Sequence, residues 1–153
     1  MSTVTVTQTF PGSVHEAESR WYDTGSWSKW VDGLARVASV SGDWPGRGAT
    51  VVWESGPAGR GRVTESVAAF EPLGGQTNDV QDDSIDARQS VTFTPQDDSV
   101  EVQLTLEYRI RKRNLFTPLV DLLFIRRAMA LSLRSTLERF GAELAAARRA
   151  GSG

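Results

Sequence analysis

The amino-acid sequence predicts an α+β fold in which a curved antiparallel sheet of six to seven strands wraps around one long C-terminal helix. Three patterns support this prediction. A first strand-like segment is followed by two short helical patterns, the middle of the chain is a series of short strands separated by turn residues, and the C-terminal segment has the period of one amphipathic helix. A helix of that length needs a sheet that curves around it to cover its apolar stripe.

The N-terminal segment 3–10 alternates between apolar residues and polar residues, mostly threonine, which predicts a half-buried strand. Residues 11–23 then show helical spacing after Pro11, and residues 24–34 predict a second short helix or turn because Gly25 interrupts the first. Six further strand-like segments follow, separated by turn residues, at 35–41, 49–55, 60–71, 75–82, 87–94 and 99–111.

The last of these segments, 99–111, has one apolar and one polar face. Leu104, Leu106 and Tyr108 share the apolar face, and charged and polar residues alternate with them. This pattern is typical of an antiparallel strand with one buried and one solvated side.

One long helix is predicted over 116–150, with Thr117 as its N-cap and Pro118 at its first helical position. Its main apolar stripe consists of Leu119, Leu122, Met129, Ala130, Leu133, Leu137, Phe140 and Leu144. Arg126 has the angular position of this stripe, within about 20° of Leu133. A second apolar stripe on the opposite side contains Val120, Phe124 and Leu131.

Length, charge and cysteine content restrict the class of protein. The chain has 153 residues, a formal net charge of −2 and no cysteine. We expect one domain over residues 1–150 and a disordered tail at 151–153. The lack of cysteine excludes disulfides, thiolate metal sites and cysteine nucleophiles, and with no visible signal peptide it favours a cytoplasmic location. The net charge gives no argument for nucleic acid as a partner, and the arginine-rich composition favours a bacterial source.

The order of elements and several short motifs resemble the START-like, or SRPBCC, superfamily and, within it, the polyketide cyclase/dehydrase-like branch. The motifs are Asp23 with Trp27 and Trp30, the turn at 46–48, and the stretches "GRVTESVAAFEP" and "LRSTLERFGAEL". The resemblance covers nearly the whole chain and depends mainly on the order of elements. It implies a helix-grip fold with a cavity between sheet and helix, whose members bind lipids, sterols, polyketides or other apolar molecules and in some cases catalyse reactions on them.

The resemblance also implies where a ligand would lie. The two short helices would close one end of the cavity, where Trp27 and Trp30 exclude water and each indole N–H reaches a nearby backbone carbonyl. The alternative is that both are core residues without ligand contact. The ligand-binding residues predicted on this basis are Trp30, Trp53, Phe93, Leu104, Leu106, Tyr108, Arg126, Met129 and Leu133.

Arg126, Tyr108 and Asp82 are the candidate catalytic residues. A guanidinium inside the cavity needs an anionic partner, which could be a ligand carboxylate, an enolate oxygen or Asp82 facing it from the sheet. Tyr108 or Asp82 would then move a proton. The alternatives are that Arg126 reaches only the cavity mouth, that Tyr108 is a core residue, and that residues 78–89 form a solvated hairpin instead of a regular strand in which Asn78, Val80 and Asp82 point inward and form a polar wall.

The sequence offers no cofactor or metal site that we can identify. The acidic residues near Asp82 lack the spacing of a calcium loop, and a lone histidine, His15, cannot form a zinc site. A nucleophile elbow and a phosphate-binding loop are absent from the sequence as well. We therefore expect no metal and no cofactor.

Three functional hypotheses remain. The first is binding of a small hydrophobic ligand with at least one polar or acidic group. The second is a polyketide cyclase, aromatase or dehydratase, so whether the protein is an enzyme stays open. The third is a structural or interaction protein whose cavity is filled by side chains. A membrane contact or a homodimer through the stripe at Phe124 and Leu131, next to the basic segment 109–113, Arg126 and Arg127, is a further alternative.

Overall fold

The structure is a computed structural model that describes residues 2–56, 61–111 and 119–152. The elements follow the predicted order: strand β1 Ser2–Pro11, helix α1 Val14–Trp21, a single 3-10 turn Thr24–Ser26, helix α2 Trp27–Trp30, strands β2 Leu34–Ser41, β3 Thr50–Ser55, β4 Arg62–Glu71, β5 Gly75–Gln81, β6 Ile85–Gln96 and β7 Ser99–Ile110, and helix α3 Leu119–Ser152. The predicted helix-grip fold is confirmed.

The sheet has seven strands in the order β1-β7-β6-β5-β4-β3-β2, and every neighbouring pair is antiparallel. Strands β2 to β7 form a meander, and β1 joins it at the free edge of β7, where Val6 lies opposite Leu104. The N-terminal strand β1 is therefore an edge strand of the sheet, and α3 packs against it.

The acidic segment around residues 78–86 is a regular hairpin. Asn78 lies opposite Gln89, and the pairing continues to Gln81. The turn that follows is closed by Asp82, whose Oδ1 accepts hydrogen bonds from the backbone N–H groups of Ser84 at 2.7 Å and Ile85 at 2.9 Å. A carboxylate in this position satisfies backbone donors that the sheet leaves unpaired.

Side chains fix the starts of both short helical segments. Ser13 Oγ accepts from the N–H of Glu16 at 3.0 Å, and Glu16 Oε1 accepts from the N–H of Ser13 at 3.2 Å, which is a capping box. The backbone hydrogen bond from Ser13 lowers the pKa of Glu16. Asp23 caps the 3-10 turn by accepting from the N–H of Gly25, and so fixes the chain direction just before the Trp27–Trp30 helix.

Helix α3 is buried on one side only. Leu137 and Phe140 are fully buried, whereas Phe124 is 72% exposed and Leu131 54% exposed. The predicted second apolar stripe thus faces away from the core. The helix continues through residues 151–152, which we had predicted as a disordered tail. The predicted N-cap Thr117 and Pro118 lie outside the described residues, as do the side chains of 119–121.

The predicted basic patch is partly neutralised. Arg109 pairs with Asp86 at 3.2 Å and Arg111 pairs with the same carboxylate at 2.6 Å. Residues 112–113 of that patch fall outside the described ranges. Among the helices that the structure describes, none has the length and apolar character needed to cross a bilayer.

Candidate functional site

A partly enclosed cavity of about 60 Å³ lies between the sheet, α2 and α3. Its apolar wall is formed by Trp21, Trp27, Trp30, Val31, Trp53, Val80, Val91, Leu104 and Leu133. Its polar wall is formed by Asp32, Glu65, Gln76, Asn78, Gln89, Ser132 and Thr136. The cavity therefore combines a large aromatic surface with a concentrated set of hydrogen-bonding groups.

Indole rings from the two short helices close one end of this cavity. Trp30 packs against Trp21 with ring centroids 4.7 Å apart and against Phe140 at 5.1 Å. The Trp27 indole N–H donates to the backbone carbonyl of Trp21 at 2.8 Å, as predicted. The Trp30 indole N–H differs from the prediction, because it donates to the Ser26 hydroxyl at 2.9 Å instead of to a carbonyl.

The opposite wall carries a buried hydrogen-bond chain across β3, β4 and β5. Trp53 Nε1 donates to Glu65 Oε2 at 2.7 Å. Asn78 Nδ2 donates to Glu65 Oε1 at 3.3 Å and to Gln76 Oε1 at 3.1 Å. Gln76 Nε2 in turn donates to the backbone carbonyl of Pro45 at 3.0 Å. These contacts order a set of polar side chains that would be costly to bury without partners.

Among the described residues, one polar atom of this hydrogen-bond network has no partner. Asn78 is only 5% exposed, and its carbonyl oxygen Oδ1 is buried without a hydrogen-bond partner in the part of the chain that the structure describes. A buried acceptor in that condition costs about 1–3 kcal/mol. Because Asn78 belongs to the cavity wall, a ligand that widens the cavity can bring a donor to this oxygen and remove that cost.

Near the surface, the wall is held together by contacts between the α2–β2 loop and α3. Ser132 Oγ donates to Asp32 Oδ2 at 2.6 Å, and the backbone N–H of Asp32 donates to Thr136 Oγ1 at 3.0 Å. Arg139 forms an ion pair with the same carboxylate. Asp32 and Ser132 are partly exposed, so this part of the cavity wall borders solvent.

The structure separates the predicted ligand-binding residues into two groups. Those in the cavity wall are Trp30, Trp53, Leu104 and Leu133. Phe93, Leu106 and Tyr108 are buried in the surrounding core, and Met129 is half-buried against it, all outside the wall. Contact of any of them with a ligand stays a prediction.

The expected inward position of Arg126 is wrong, because its side chain is exposed. Its angular position on α3 matches that of Leu133, but it lies about 10 Å nearer the start of the helix. The neighbouring Ile125 and Met129 still pack against the core, so α3 buries residues other than Arg126 at this point.

Asp82 does not face Arg126 either. It is buried, yet its carboxylate is used by the β5–β6 turn and does not belong to the cavity wall. The three candidate catalytic residues Arg126, Tyr108 and Asp82 are therefore not brought together in the cavity.

Glu65 is the main site residue that the sequence analysis did not single out. It is 7% exposed and lies between the buried residues Val63 and Val67 on the inner face of β4. The sequence could have indicated this, because Glu65 stands two residues from Val63 and from Val67 in one strand. All three side chains therefore point to the same face, into the core or the cavity. Ser132 and Thr136 could not be identified from the sequence for another reason. Single hydroxyl residues occur on both the buried and the exposed side of a helix, so their type does not indicate their orientation.

The electrostatic character of the wall follows from its residues. It contains two carboxylates, Asp32 and Glu65, and none of the described wall residues is a lysine, arginine or histidine. Among the described residues, no group of three or more histidine, cysteine, aspartate or glutamate side chains is placed to hold a metal ion. The arrangement is suited to accepting hydrogen bonds and, through Glu65, to accepting a proton.

Comparison with known proteins agrees with this architecture. The sequence matches the family described as "Polyketide cyclase / dehydrase and lipid transport" over residues 1–145. A comparison with curated proteins found no match.

Three solved structures illustrate the likeness in fold. A protein from Thermus thermophilus aligns with a TM-score of 0.79 at 17% identity, covering 95% of this chain and 99% of its own. A START superfamily protein from Mycobacterium smegmatis aligns at 0.76 and 14% identity, with 93% and 96% covered. Norcoclaurine synthase from Thalictrum flavum, in complex with dopamine and hydroxybenzaldehyde, aligns at 0.68 and 9% identity, with 94% and 86% covered. The chain therefore belongs to the polyketide cyclase/dehydrase and lipid transport family and has the START-like helix-grip fold.

Proposed function

We propose that the protein binds a small, largely apolar ligand in the cavity between the sheet and α3. The observation that supports this most directly is the buried polar chain of Trp53, Glu65, Asn78 and Gln76 in an otherwise aromatic wall. A core that serves only stability gains little from such groups, because burying them costs free energy unless every donor and acceptor is paired. The unpaired Asn78 Oδ1 favours a ligand site over a filled core.

The size of the cavity limits the ligand. A volume of about 60 Å³ holds a few water molecules. An apolar cavity needs about 150 Å³ to take up benzene. A ring-sized ligand therefore requires the wall to yield, and the partly exposed loop at Asp32 is the part of the wall best placed to do so. We expect a ligand of one or two rings and not a long lipid chain.

The ligands named for the Thalictrum flavum neighbour have this size. Dopamine and hydroxybenzaldehyde each contain one aromatic ring, and they occupy a protein of the same fold. A protein of this fold can therefore enclose a ligand with one ring, which supports a ligand of that size for the present chain. The 9% identity gives no residue-by-residue correspondence between the two sites.

The test is a fluorescence titration with phenol, anisole and toluene, because four tryptophans lie in the cavity wall. We expect a saturable change with at least one of these probes. Val80→Leu places an extra methylene in the cavity and should weaken binding about tenfold. Val67→Leu is the matched control, a buried valine on the neighbouring strand outside the wall. No saturable signal with any probe would favour the structural or interaction hypothesis instead.

A second candidate function is catalysis with Glu65 as general base. The observation that favours it is a carboxylate buried in the cavity wall and held by Trp53 and Asn78. The test is incubation with dopamine and 4-hydroxybenzaldehyde and chromatography of the mixture. Consumption above the rate in buffer, lost in Glu65→Gln, would support an enzyme. Consumption at the buffer rate would leave binding as the better account.

A further inference from the structure

We infer that the cavity selects a neutral ligand that donates a hydrogen bond, a hydroxyl or an N–H group, to Asn78 Oδ1. This inference rests on the proposed ligand-binding function and specifies its chemistry. It replaces the expectation of an acidic ligand anchored by Arg126, whose side chain is exposed outside the cavity.

The direction of the Asn78 amide is set by its neighbours. A backbone carbonyl can only accept, so the contact with Pro45 requires the Gln76 Nε2 group to be the donor there. The other end of the Gln76 amide, Oε1, then accepts from Asn78 Nδ2. Glu65 Oε1 accepts from the same nitrogen.

Both N–H groups of the Asn78 amide are therefore used by oxygen acceptors, and rotating the amide would place its oxygen against Glu65 and Gln76 oxygens. The unpaired atom is Oδ1 for this reason, and it is an acceptor. Only a donor can satisfy it. An ether, a ketone or a carboxylate in the cavity would present lone pairs to lone pairs.

The charge of the wall excludes an acidic ligand on separate grounds. The described wall contains the carboxylates of Asp32 and Glu65 and no cationic side chain. A ligand carboxylate would lose its hydration shell and gain no opposite charge from these residues, which is strongly unfavourable in an interior. A hydroxyl or amide-type N–H loses far less on transfer and regains a hydrogen bond at Asn78.

The surroundings define the rest of the ligand. Val80, Val91 and Leu104 lie in the same wall, and the Trp53 ring adds an aromatic surface. An apolar or aromatic body with one donor group fits these contacts. Phenol is the simplest probe of this class, and anisole is nearly the same molecule with its donor replaced by a methyl ether.

The experiment measures the dissociation constants of phenol, anisole and benzoate by fluorescence titration of the full chain. We expect phenol to bind roughly tenfold more tightly than anisole, because one satisfied buried acceptor contributes about that factor. Benzoate should bind more weakly than both. Asn78→Leu should reduce the preference for phenol over anisole to less than about twofold. Gln81→Leu, an exposed amide on the same strand outside the cavity wall, is the matched control and should retain the preference.

Each result has a defined meaning. Equal affinities for phenol and anisole in the unaltered protein would overturn the inference while leaving cavity binding intact. Benzoate as the tightest probe would also overturn it and would point to a cation outside the described wall. No binding of any of the three would overturn the inference, and it would remove the proposed function as well if toluene also fails to bind. The order of the affinities for phenol, anisole and benzoate in the unaltered protein tests the inference even if Asn78→Leu does not fold.

Discussion

Trp53 donates its indole N–H to Glu65 Oε2 over 2.7 Å inside the cavity wall. An indole can only donate and an ionised carboxylate can only accept, so this pair gives the buried chain a fixed direction. The second carboxylate oxygen then accepts from Asn78, and together with Gln76 this sets the amide orientation that leaves Oδ1 without a partner among the described residues. A single acidic side chain on β4 thus organises the polar wall.

Glu65→Gln should disturb this wall although it changes little in size. If the new amide oxygen accepts from Trp53, its NH₂ group faces the Asn78 NH₂ group, which places donor against donor. We expect a loss of about 1–3 kcal/mol in the free energy of unfolding, measured by urea denaturation. Glu54→Gln is the control, because Glu54 pairs with Arg36 and Arg62 on the exposed side of the sheet, and it should cost less than about 1 kcal/mol. Equal losses in both variants would contradict the role assigned to Glu65.

Trp30→Ala should be among the most destabilising single changes in the chain. Trp30 is 1% exposed and packs on the rings of Trp21 and Phe140. Truncating such a ring leaves a cavity and costs about 3–5 kcal/mol. The measurement is urea unfolding followed by circular dichroism, with Phe124→Ala as an exposed aromatic control expected to change stability by less than about 0.5 kcal/mol. A loss below that of an ordinary surface change would mean that the indole is not part of the core.

The fold was predictable because its signals are repeated along the chain. The alternation in β7 and the apolar stripe of α3 each extend over several turns or residue pairs, so a single ambiguous residue does not change the pattern. The Asp23 and Trp27–Trp30 motif added a local signal, and the structure explains it through the Asp23 cap and the two buried indoles.

The site was less predictable because its residues depend on where elements meet. The spacing places Arg126 on the apolar stripe, but nothing in its own segment indicates which residues at that end of α3 meet the core. Asp82 was expected to point inward and it is buried, yet its partners are backbone N–H groups of its own turn. Periodicity gives the direction of a side chain, and the partner it meets there depends on distant parts of the chain.

At Gly141, α3 lies close against the Phe10 ring of β1. A Cβ atom at this position would lie 2.8 Å from Phe10 Cδ1, and Phe10 is itself held against Phe140. In an open helix, replacing glycine by alanine gains up to about 1 kcal/mol. Here Gly141→Ala should instead destabilise by about 1–3 kcal/mol through overpacking, measured as a shift of the urea midpoint. Gly151→Ala in the same helix meets open space and should be neutral or slightly stabilising.

Asp86 makes stability depend on pH where β6 pairs with β7. Its hydrogen bond with Arg111, followed by that with Arg109, lowers the pKa of Asp86 below its ordinary value of 3.8. A carboxyl whose pKa is lower in the folded than in the unfolded state stabilises the fold above the unfolded pKa, and this contribution is lost as the pH falls through the folded pKa. Asp86→Asn should therefore lower stability at pH 7, and the difference from the unaltered protein should shrink as the pH falls below 3.8. The measurement is urea unfolding between neutral and acidic pH, with Asp83→Asn in the preceding turn as control; a pH-independent difference would rule out the ion pair as its cause.

The contact between Asp32 and Ser132 should control how fast a ligand enters and leaves. It joins the α2–β2 loop to α3 at the partly exposed edge of the cavity, with Thr136 and Arg139 as further partners of Asp32. Ser132→Ala removes one hydrogen bond of about 1 kcal/mol, which raises the population of a minor open state about fivefold. Because entry and exit both pass through that state, the association and dissociation rates of phenol should rise by the same factor while the dissociation constant stays nearly unchanged. Stopped-flow tryptophan fluorescence measures both rates, and Ser28→Ala on the exposed side of α2 is the control. A change in the dissociation rate alone would show that Ser132 contacts the ligand directly and does not act by holding the loop closed.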